Sequence, residues 1–377
     1  MYIGCARNAK DVERALALAA KTFRSSEDPD AAISIKRLFM SPSGTISEQD
    51  VVVLVDEAGE IVGTSFLIDR LFYRGRKKLK GTFLTSICIA ELSRGKGFSA
   101  LLMNCAIAEC ERRGSIFAIL IARRAVDHFY NKFNFWGLSQ YSKINISVKD
   151  ISASSNRLML HPATEEDLVS VNCLYEDTYS TQLGSCERSV EHWRHVLWKS
   201  RKQNNQFVVF RIGDTTCGYA IFSGTEVFEL ASASDVPCLD LLHHLGEVYS
   251  LSNVILNGSS QHRITHELHP FDFSITNRQC TYGGHMVRVI NYQFLLNVLE
   301  DELGEILCDL NSKGYREVSE DWMIEFSEGK VNVTLNSSPF SFKNTCHLMG
   351  ASFLSAVPGA QSILRPKSFN VPLVDQI

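Results

Sequence analysis

Several features that would assign this 377-residue chain to a special class of protein are missing or scarce. Its 11 cysteines include no C-x-x-C pair and no Cys/His spacing of the zinc-binding kind, which argues against a structural metal or a disulfide framework. No uninterrupted apolar run reaches the length of about 18 residues that a membrane span needs. A formal net charge of −4 gives no overall attraction to nucleic acid or anionic lipid. We therefore expect a cytoplasmic protein with reduced thiols, no metal, and no nucleic-acid or membrane partner.

The composition that remains is that of an ordinary globular protein, 45% hydrophobic and 21% charged. Charges interrupt the apolar residues at the N-terminus, which does not fit a secretory signal peptide. A single core stops growing near about 250–300 residues, so we expect two or three domains. Changes in pattern along the chain predict boundaries that give domains at 1–150, 151–283 and 284–377.

The first domain has the element order of an α+β fold rather than a regular βαβ alternation. Asn8 is a plausible N-cap for an amphipathic helix, whose apolar face recurs at Val12, Leu16, Ala19 and Phe23. The segments VVVLV and IVGTSFLI then predict a hairpin. Further along we expect a strand over 82–90, a helix over 98–112 and a buried strand over 115–121.

The basic run RGRKKLK, from Arg74 to Lys80, lies between two of these predicted strands. Such a run could form an anion-binding or nuclear-localisation patch. A charged connection between strands is more often a solvated loop, and that is the interpretation we favour.

The second domain repeats the pattern of the first. Thr164 precedes an Asp and an apolar helical face, as Asn8 does, and FVVFRIGDTTCGYAIFSG imitates the earlier hairpin with Gly218 lying 155 positions after Gly63. After the strand VFELAS, however, the segment SDVPCLDLLHHL contains no glycine. We interpret this domain as a copy that has lost a ligand-binding turn.

A shift in composition at Tyr282-Gly283-Gly284 predicts the start of a third α+β unit. Here MVRVINYQFLLNVLEDEL has the pattern of a helix and WMIEFSEGKVNVTL that of a hairpin.

The clearest chemical signal is the loop Arg94, Gly95, Lys96, Gly97, which follows a strand and opens into the helix beginning at Phe98. Amides at a helix start are unpaired, and the helix dipole adds positive charge, so the site suits a pyrophosphate. Glycine allows close approach of the backbone, while arginine and lysine supply charge. The alternative is an ordinary strand-to-helix loop with solvated basic residues.

The spacing Arg94-x-x-Gly97-x-Ser99 resembles the coenzyme A pyrophosphate loop, R-x-x-G-x-G/A, of the GNAT superfamily of N-acetyltransferases. The segment HFYNKFNFWG is similar to the Y-x-K/R-F-G-F/Y segment of these enzymes, with Asn134 in place of glycine. Asparagine tolerates a left-handed backbone well. The resemblance implies a mixed, mostly antiparallel sheet flanked by helices, with acetyl-CoA as the acyl donor.

The resemblance also implies roles for individual residues. Tyr130 would protonate the departing thiolate, although it could instead belong to an aromatic core cluster. Apart from the resemblance, the adjacent His128 is a candidate base, although a lone loop histidine is more often structural or solvated. The pantetheine arm would lie along the strand that contains Ile87, Cys88 and Ile89, and a backbone N–H there would polarise the acyl carbonyl. Cys88 could also be a nucleophile, but a buried strand cysteine is normally inert.

The whole chain resembles the Eis-like (enhanced intracellular survival) branch: a GNAT domain, a degenerate second GNAT-like domain and a domain similar to sterol carrier proteins. This implies a homo-oligomer in which the α-carboxylate of Ile377 helps to deprotonate the acceptor, an amine-bearing small molecule or a lysine side chain. The alternative for Ile377 is a frayed terminus. Two competing functions are a non-catalytic acyl-CoA sensor or scaffold and, on fold analogy alone, lipid carriage by the third domain.

Overall fold

A computed structural model describes residues 1–23, 46–74, 77–123, 125–137, 139–151, 158–259, 262–280, 284–309, 316–318, 320, 322–327 and 330–349. Its strands are β1 (Tyr2–Cys5), β2 (Val51–Val55), β3 (Ile61–Arg74), β4 (Lys77–Ile89), β5 (Phe117–Ala122), β6 (Trp136–Gly137), β7 (Ser139–Ser147), β8 (Met159–Pro162), β9 (Gln206–Ile212), β10 (Thr215–Ser223), β11 (Glu226–Ser232), β12 (Asn253–Gly258), β13 (Phe273–Cys280), β14 (Gly284–Val289), β15 (Arg316–Val318), β16 (Trp322–Ser327) and β17 (Lys330–Leu335). Its α-helices are α1 (Ala9–Phe23), α2 (Phe98–Arg112), α3 (Asp127–Asn131), α4 (Leu168–Tyr179), α5 (Val190–Lys202), α6 (Cys238–Tyr249), α7 (Ile264–Glu267), α8 (Tyr292–Asp309) and α9 (Phe342–Leu348).

Helix α1 begins where the sequence predicts it. The Asn8 side-chain oxygen accepts the amide of Asp11 at 3.0 Å, which satisfies one of the free donors of the first turn. The apolar residues at helical spacing, including Val12, Leu16 and Ala19, are buried against the first sheet. Phe23, the last residue of the helix, is 38% exposed and is not part of that core.

The first sheet has the strand order β1-β2-β3-β4-β5-β14-β6. Among the described residues of this sheet, only β4 and β5 pair in parallel, over Gly81–Phe83 and Phe117–Ile119, and the other pairings are antiparallel. Helix α1 packs on one face and α2 on the other, each over its own apolar cluster. This is an α+β fold, as the element order predicts, with the mixed, mostly antiparallel sheet that the resemblance implies.

The basic run is not the solvated loop that its charge pattern suggested. Strand β3 continues to Arg74 and β4 already begins at Lys77, so the two strands form a long hairpin arm. The arm reaches later parts of the chain, because the amide of Tyr73 donates to the carbonyl of Ser185 at 2.8 Å. Its cations pair with carboxylates there: Arg74 with Glu302 (2.9 Å), Lys78 with Glu187 (2.7 Å) and Lys77 with Asp301.

The second sheet, written from its β8 edge, has the order β8-β9-β10-β11-β12-β7-β13. Its only parallel pair in the described residues is β11 with β12, at the same place in the order as β4 with β5. The sixth strand of each sheet comes from outside its own sequence segment. Strand β7 follows β6 directly but pairs with β12 and β13, whereas β14 returns to pair with β5 and β6.

Strand pairing crosses the predicted boundaries at 150 and 283. Residues 139–147 belong to the second sheet and 284–289 to the first. The physical reason is strand pairing, because the backbone N–H and C=O groups at the edges of β5 and β12 need hydrogen-bond partners. In each case a strand distant in sequence supplies them. A change in residue composition along the chain carries no information about this pairing.

The third unit contains the sheet β15-β16-β17 with α8 packed on β17. The predicted hairpin is present as β16 and β17. The helix predicted from Met286 onwards begins only at Tyr292, because residues 284–289 form β14, with Met286 and Val287 completely buried between two strands. A short apolar run of this kind fits a buried strand and a buried helix equally well. None of the helices in the described ranges has both the length and the apolar character needed to cross a bilayer.

Candidate active site

A cleft of about 860 Å³ opens where β4 and β5 part. Their pairing stops at Phe83 and Ile119, and the later residues of both strands diverge. The residues that line the cleft come from the end of α1, β4, the loop before α2, the end of β5 and α3: Thr22, Phe23, Phe83, Leu84, Thr85, Ser86, Ile87, Cys88, Ile89, Ser93, Arg94, Gly95, Gly97, Phe98, Ser99, Ile121, Arg123, Val126, His128, Phe129 and Tyr130.

Strand β4 carries a bulge where it borders the cleft. Thr64 of β3 lies opposite Cys88, and Phe66 lies opposite Thr85, so the single residue between them on β3 faces two on β4. Ser86 takes a left-handed conformation there, with φ of 48°. The bulge shifts the alternation of the strand and so changes which amides face the cleft.

The hydrogen bonds after β4 show which backbone groups are directed into the cleft. The amide of Ala90 donates to the carbonyl of Val62 at 2.8 Å, so Ala90 faces the β3 side. Alternate residues of a strand direct their N–H and C=O groups to opposite neighbours. Counting back from Ala90, Ile87 and Ile89 face the cleft, whereas the backbone of Cys88 faces β3. An extended ligand with amide groups could therefore hydrogen-bond to Ile87 and Ile89.

The loop before α2 has the geometry of an anion site. Gly95 and Gly97 both have φ of 77°, in the left-handed region where a side chain is disfavoured, and Gly97 is the N-cap of α2. By helix geometry the amides of Phe98 and Ser99 have no acceptor within the helix. Arg94 is exposed at this end of the cleft, and its Nε donates to the carbonyl of Ile89 at 3.3 Å. Lys96 lies in the same loop and is exposed, but it does not line the cleft.

Tyr130 lies on the wall formed by α3, across the cleft from β4. Its ring contacts Phe129 edge to face, with centroids 5.2 Å apart, and Phe135 at 6.5 Å. Tyr130 is thus both a member of an aromatic cluster and a lining residue of the cleft. Burial raises the pKa of its phenol above the ordinary value of 10.0, so the hydroxyl keeps its proton near neutral pH. Asn134, in the turn that follows, has φ of 60°, the left-handed conformation that the sequence predicts.

The remaining candidates have different positions. His128 is exposed and lines the cleft beside Tyr130. Ile377 lies outside the described residues. Sequence reasoning missed Thr22 and Phe23 at the end of α1 and Arg123 at the end of β5. The end of β5 could have been found from the rule that ligands bind beyond the carboxyl ends of parallel strands. For the end of α1 the sequence contained no comparable signal.

Cys88 lines the cleft but is 6% exposed, and burial raises the pKa of its thiol to about 11. A thiol is a nucleophile only as thiolate, which would be scarce near neutral pH. We predict that Cys88→Ala keeps turnover close to that of the wild type. In the intact protein a maleimide should label the exposed Cys173 much faster than Cys88, as measured by peptide mass spectrometry. A trapped acyl-Cys88 intermediate would contradict this prediction.

The corresponding space in the second sheet is filled by the chain itself. Gly218 pairs with Ser232 as Gly63 pairs with Ile89, so Leu230 takes the place of Ile87. The amide of Leu230 donates to the hydroxyl of Tyr179 at 3.2 Å, and its carbonyl accepts from that hydroxyl at 3.1 Å. The same carbonyl lies 2.9 Å from Nε2 of His262. Tyr179 is the last residue of α4, as Phe23 is the last residue of α1, but Tyr179 is 5% exposed whereas Phe23 is 38% exposed.

The comparison with family models is decisive for the first unit. Residues 6–138 match the family model described as acetyltransferase (GNAT) domain. The N-terminal part of the chain is thus similar to the GNAT acetyltransferase domain. This supports acyl transfer from coenzyme A in general, with the acyl-CoA as a substrate. The site described above lies within the matched residues.

Solved structures share the fold over most of the chain. A GCN5-related N-acetyltransferase from Anabaena variabilis aligns with a TM-score of 0.63 and 14% identity, covering 89% of this chain and 86% of that one. A conserved protein of unknown function from Enterococcus faecalis, described as a probable N-acyltransferase, has a TM-score of 0.63 at 13% identity, with 89% and 84% covered. Eis1 from Mycobacterium abscessus has a TM-score of 0.61 at 16% identity, with 93% and 90% covered.

At these identities the structural likeness extends to the fold alone. A search of curated proteins gave no significant match.

Proposed function

We propose that the GNAT domain binds acetyl-CoA between β4 and β5 and transfers the acetyl group directly to an amine in a ternary complex. The observation that carries this proposal is the juxtaposition, in one cleft, of a free strand edge, a glycine loop at a helix start and a half-buried tyrosine. The pyrophosphate would lie on the amides of Phe98 and Ser99, with Arg94 beside it. The pantetheine arm would hydrogen-bond to Ile87 and Ile89 as an added strand.

The reaction needs two proton transfers. The acceptor nitrogen attacks the thioester carbonyl and must lose a proton, while the carbonyl oxygen takes negative charge that an amide of the β4 bulge can stabilise. When the C–S bond breaks, the sulfur takes the electron pair, and the Tyr130 hydroxyl gives it a proton. The α-carboxylate of Ile377 and the His128 side chain are our candidates for accepting the proton of the amine.

Our proposals for the second and third units, for the acceptor and for the oligomeric state rest on the resemblance to the Eis-like branch. We propose that the second unit is a degenerate GNAT-like domain and that the third is similar to sterol carrier proteins. The repeated strand order and the occupied edge of Leu230 support the first of these assignments. The acceptor is proposed to be a small amine or a lysine side chain, and the protein a cytoplasmic homo-oligomer.

Titration calorimetry with acetyl-CoA provides the first test. We expect one molecule bound per chain, because Tyr179 and His262 occupy the edge in the second sheet that Ile87 leaves free in the first. Binding of two molecules per chain would contradict the assignment of the second unit, and no binding would contradict the proposed function.

Turnover is tested separately with thiol-release assays and a panel of primary amines. We expect coenzyme A release that depends on the amine. Binding of acetyl-CoA without any amine-dependent release would favour the alternative of a non-catalytic acyl-CoA sensor.

A further inference from the structure

Beyond the lining of the cleft, two distant parts of the chain hold the turn that follows Tyr130. Strand β14 lies beside β6, with Val287 opposite Trp136, and so brings Arg288 to this turn. Arg288 Nη1 donates to the carbonyl of Phe133 at 2.8 Å. The Arg288 guanidinium lies over the ring of Phe340, 5.0 Å from its centroid. The indole N–H of Trp136 donates to the carbonyl of Phe340.

The turn itself connects these contacts to Tyr130. The Tyr130 carbonyl accepts the amides of Phe133 at 2.9 Å and Phe135 at 3.2 Å. Asn131 closes the turn by donating from its side chain to the carbonyl of Phe135 at 2.9 Å. A shift of the Phe133 peptide would therefore move the backbone of Tyr130, and with it the hydroxyl that lines the cleft.

We propose that Arg288 is a positioning residue for Tyr130 and that Phe340 extends this role to the third unit. The Arg288 side chain is 16% exposed, so its hydrogen bond to Phe133 is shielded from water and charge-assisted. Its charged neighbour in the described residues is Glu111, whose carboxylate lies 4.0 Å from Nη2 and is 56% exposed, so water screens this ion pair. A change in the third unit that moves Phe340 would thus change turnover.

This inference rests on the proposed role of Tyr130 and is tested by a double-mutant cycle. We expect Arg288→Met to lower kcat roughly 10-fold while the Kd for acetyl-CoA stays nearly constant, because a misplaced acid slows only the chemical step. Arg288→Lys, which retains a donor, should recover part of the loss. In a Tyr130→Phe background, Arg288→Met should have almost no further effect.

The control is Glu111→Gln, which removes the exposed charge beside Arg288 but leaves the contacts to Phe133 and Phe340 in place, and which should keep wild-type kcat. Phe340→Leu gives a second cycle that does not depend on the folding of the Arg288 variants, and it should lower kcat in the wild-type background only. Equal losses in both backgrounds, or a parallel loss of acetyl-CoA affinity, would overturn the positioning role. If Tyr130→Phe alone left kcat unchanged, the proposed role of Tyr130 as the acid would be wrong. That result is distinct from a failure of the positioning role of Arg288.

Discussion

Replacing Tyr130 by phenylalanine is expected to lower kcat about 10²–10⁴-fold, the range for removal of a general acid or base. The variant keeps the ring that packs against Phe129 and Phe135 and removes only the hydroxyl. Affinity for acetyl-CoA should be nearly unchanged, because the groups proposed to bind the donor lie on β4, in the loop before α2 and in the first turn of α2. Steady-state kinetics and calorimetry on the same preparation measure the two quantities.

The pH dependence gives a further readout for this tyrosine. Burial raises the pKa of Tyr130 above its ordinary value of 10.0, so the phenol is protonated throughout the neutral range. A fall in kcat caused by its ionisation should therefore have its midpoint above pH 10.0 in the wild type. Tyr249→Phe, a change of the same kind in the second unit, should leave kcat unaltered. A Tyr130→Phe enzyme with wild-type kcat would remove this residue from the mechanism.

Replacing Gly97 by valine is expected to abolish measurable acetyl-CoA binding. Gly97 has φ of 77°, which a β-branched residue adopts only with strain, and relaxing that strain would turn away the amides at the start of α2. Left-handed backbone costs a side chain about 1–2 kcal/mol. The loss of binding free energy should exceed this strain energy, because the pyrophosphate would lose several hydrogen-bond donors together. Calorimetry measures the loss of acetyl-CoA binding, and thermal unfolding measures the loss of stability, so the two effects are distinguished.

Gly59 offers a matched control for Gly97. It has φ of 82° in the turn between β2 and β3, and, as at Gly97, a β-carbon there would meet no atom within 4 Å. Gly59→Val should therefore produce a comparable loss of stability with unchanged acetyl-CoA affinity. If Gly97→Val bound acetyl-CoA as tightly as Gly59→Val does, the proposed pyrophosphate site would be wrong.

Local sequence features predicted the elements around the cleft well. The Asn8 cap, the start of α2 after Gly97 and the left-handed Asn134 depend on interactions within a few residues, and the structure has all three. The basic run from Arg74 to Lys80 was misjudged because its partners, Glu187, Asp301 and Glu302, lie more than a hundred positions later. Charge alone could not show that they would be opposite it.

The sequence by itself determined that a glycine loop would open a helix in a GNAT-like first unit, because backbone conformation and capping are set by neighbouring residues. Only the tertiary structure decided that β7 and β14 exchange sheets and that the backbone amide of Ile87, rather than that of Cys88, faces the cleft. It also decided that Arg288 and Phe340 hold the turn after Tyr130. These features depend on hydrogen bonds and packing between segments far apart in the chain, and a local pattern does not encode which distant strand satisfies an open edge.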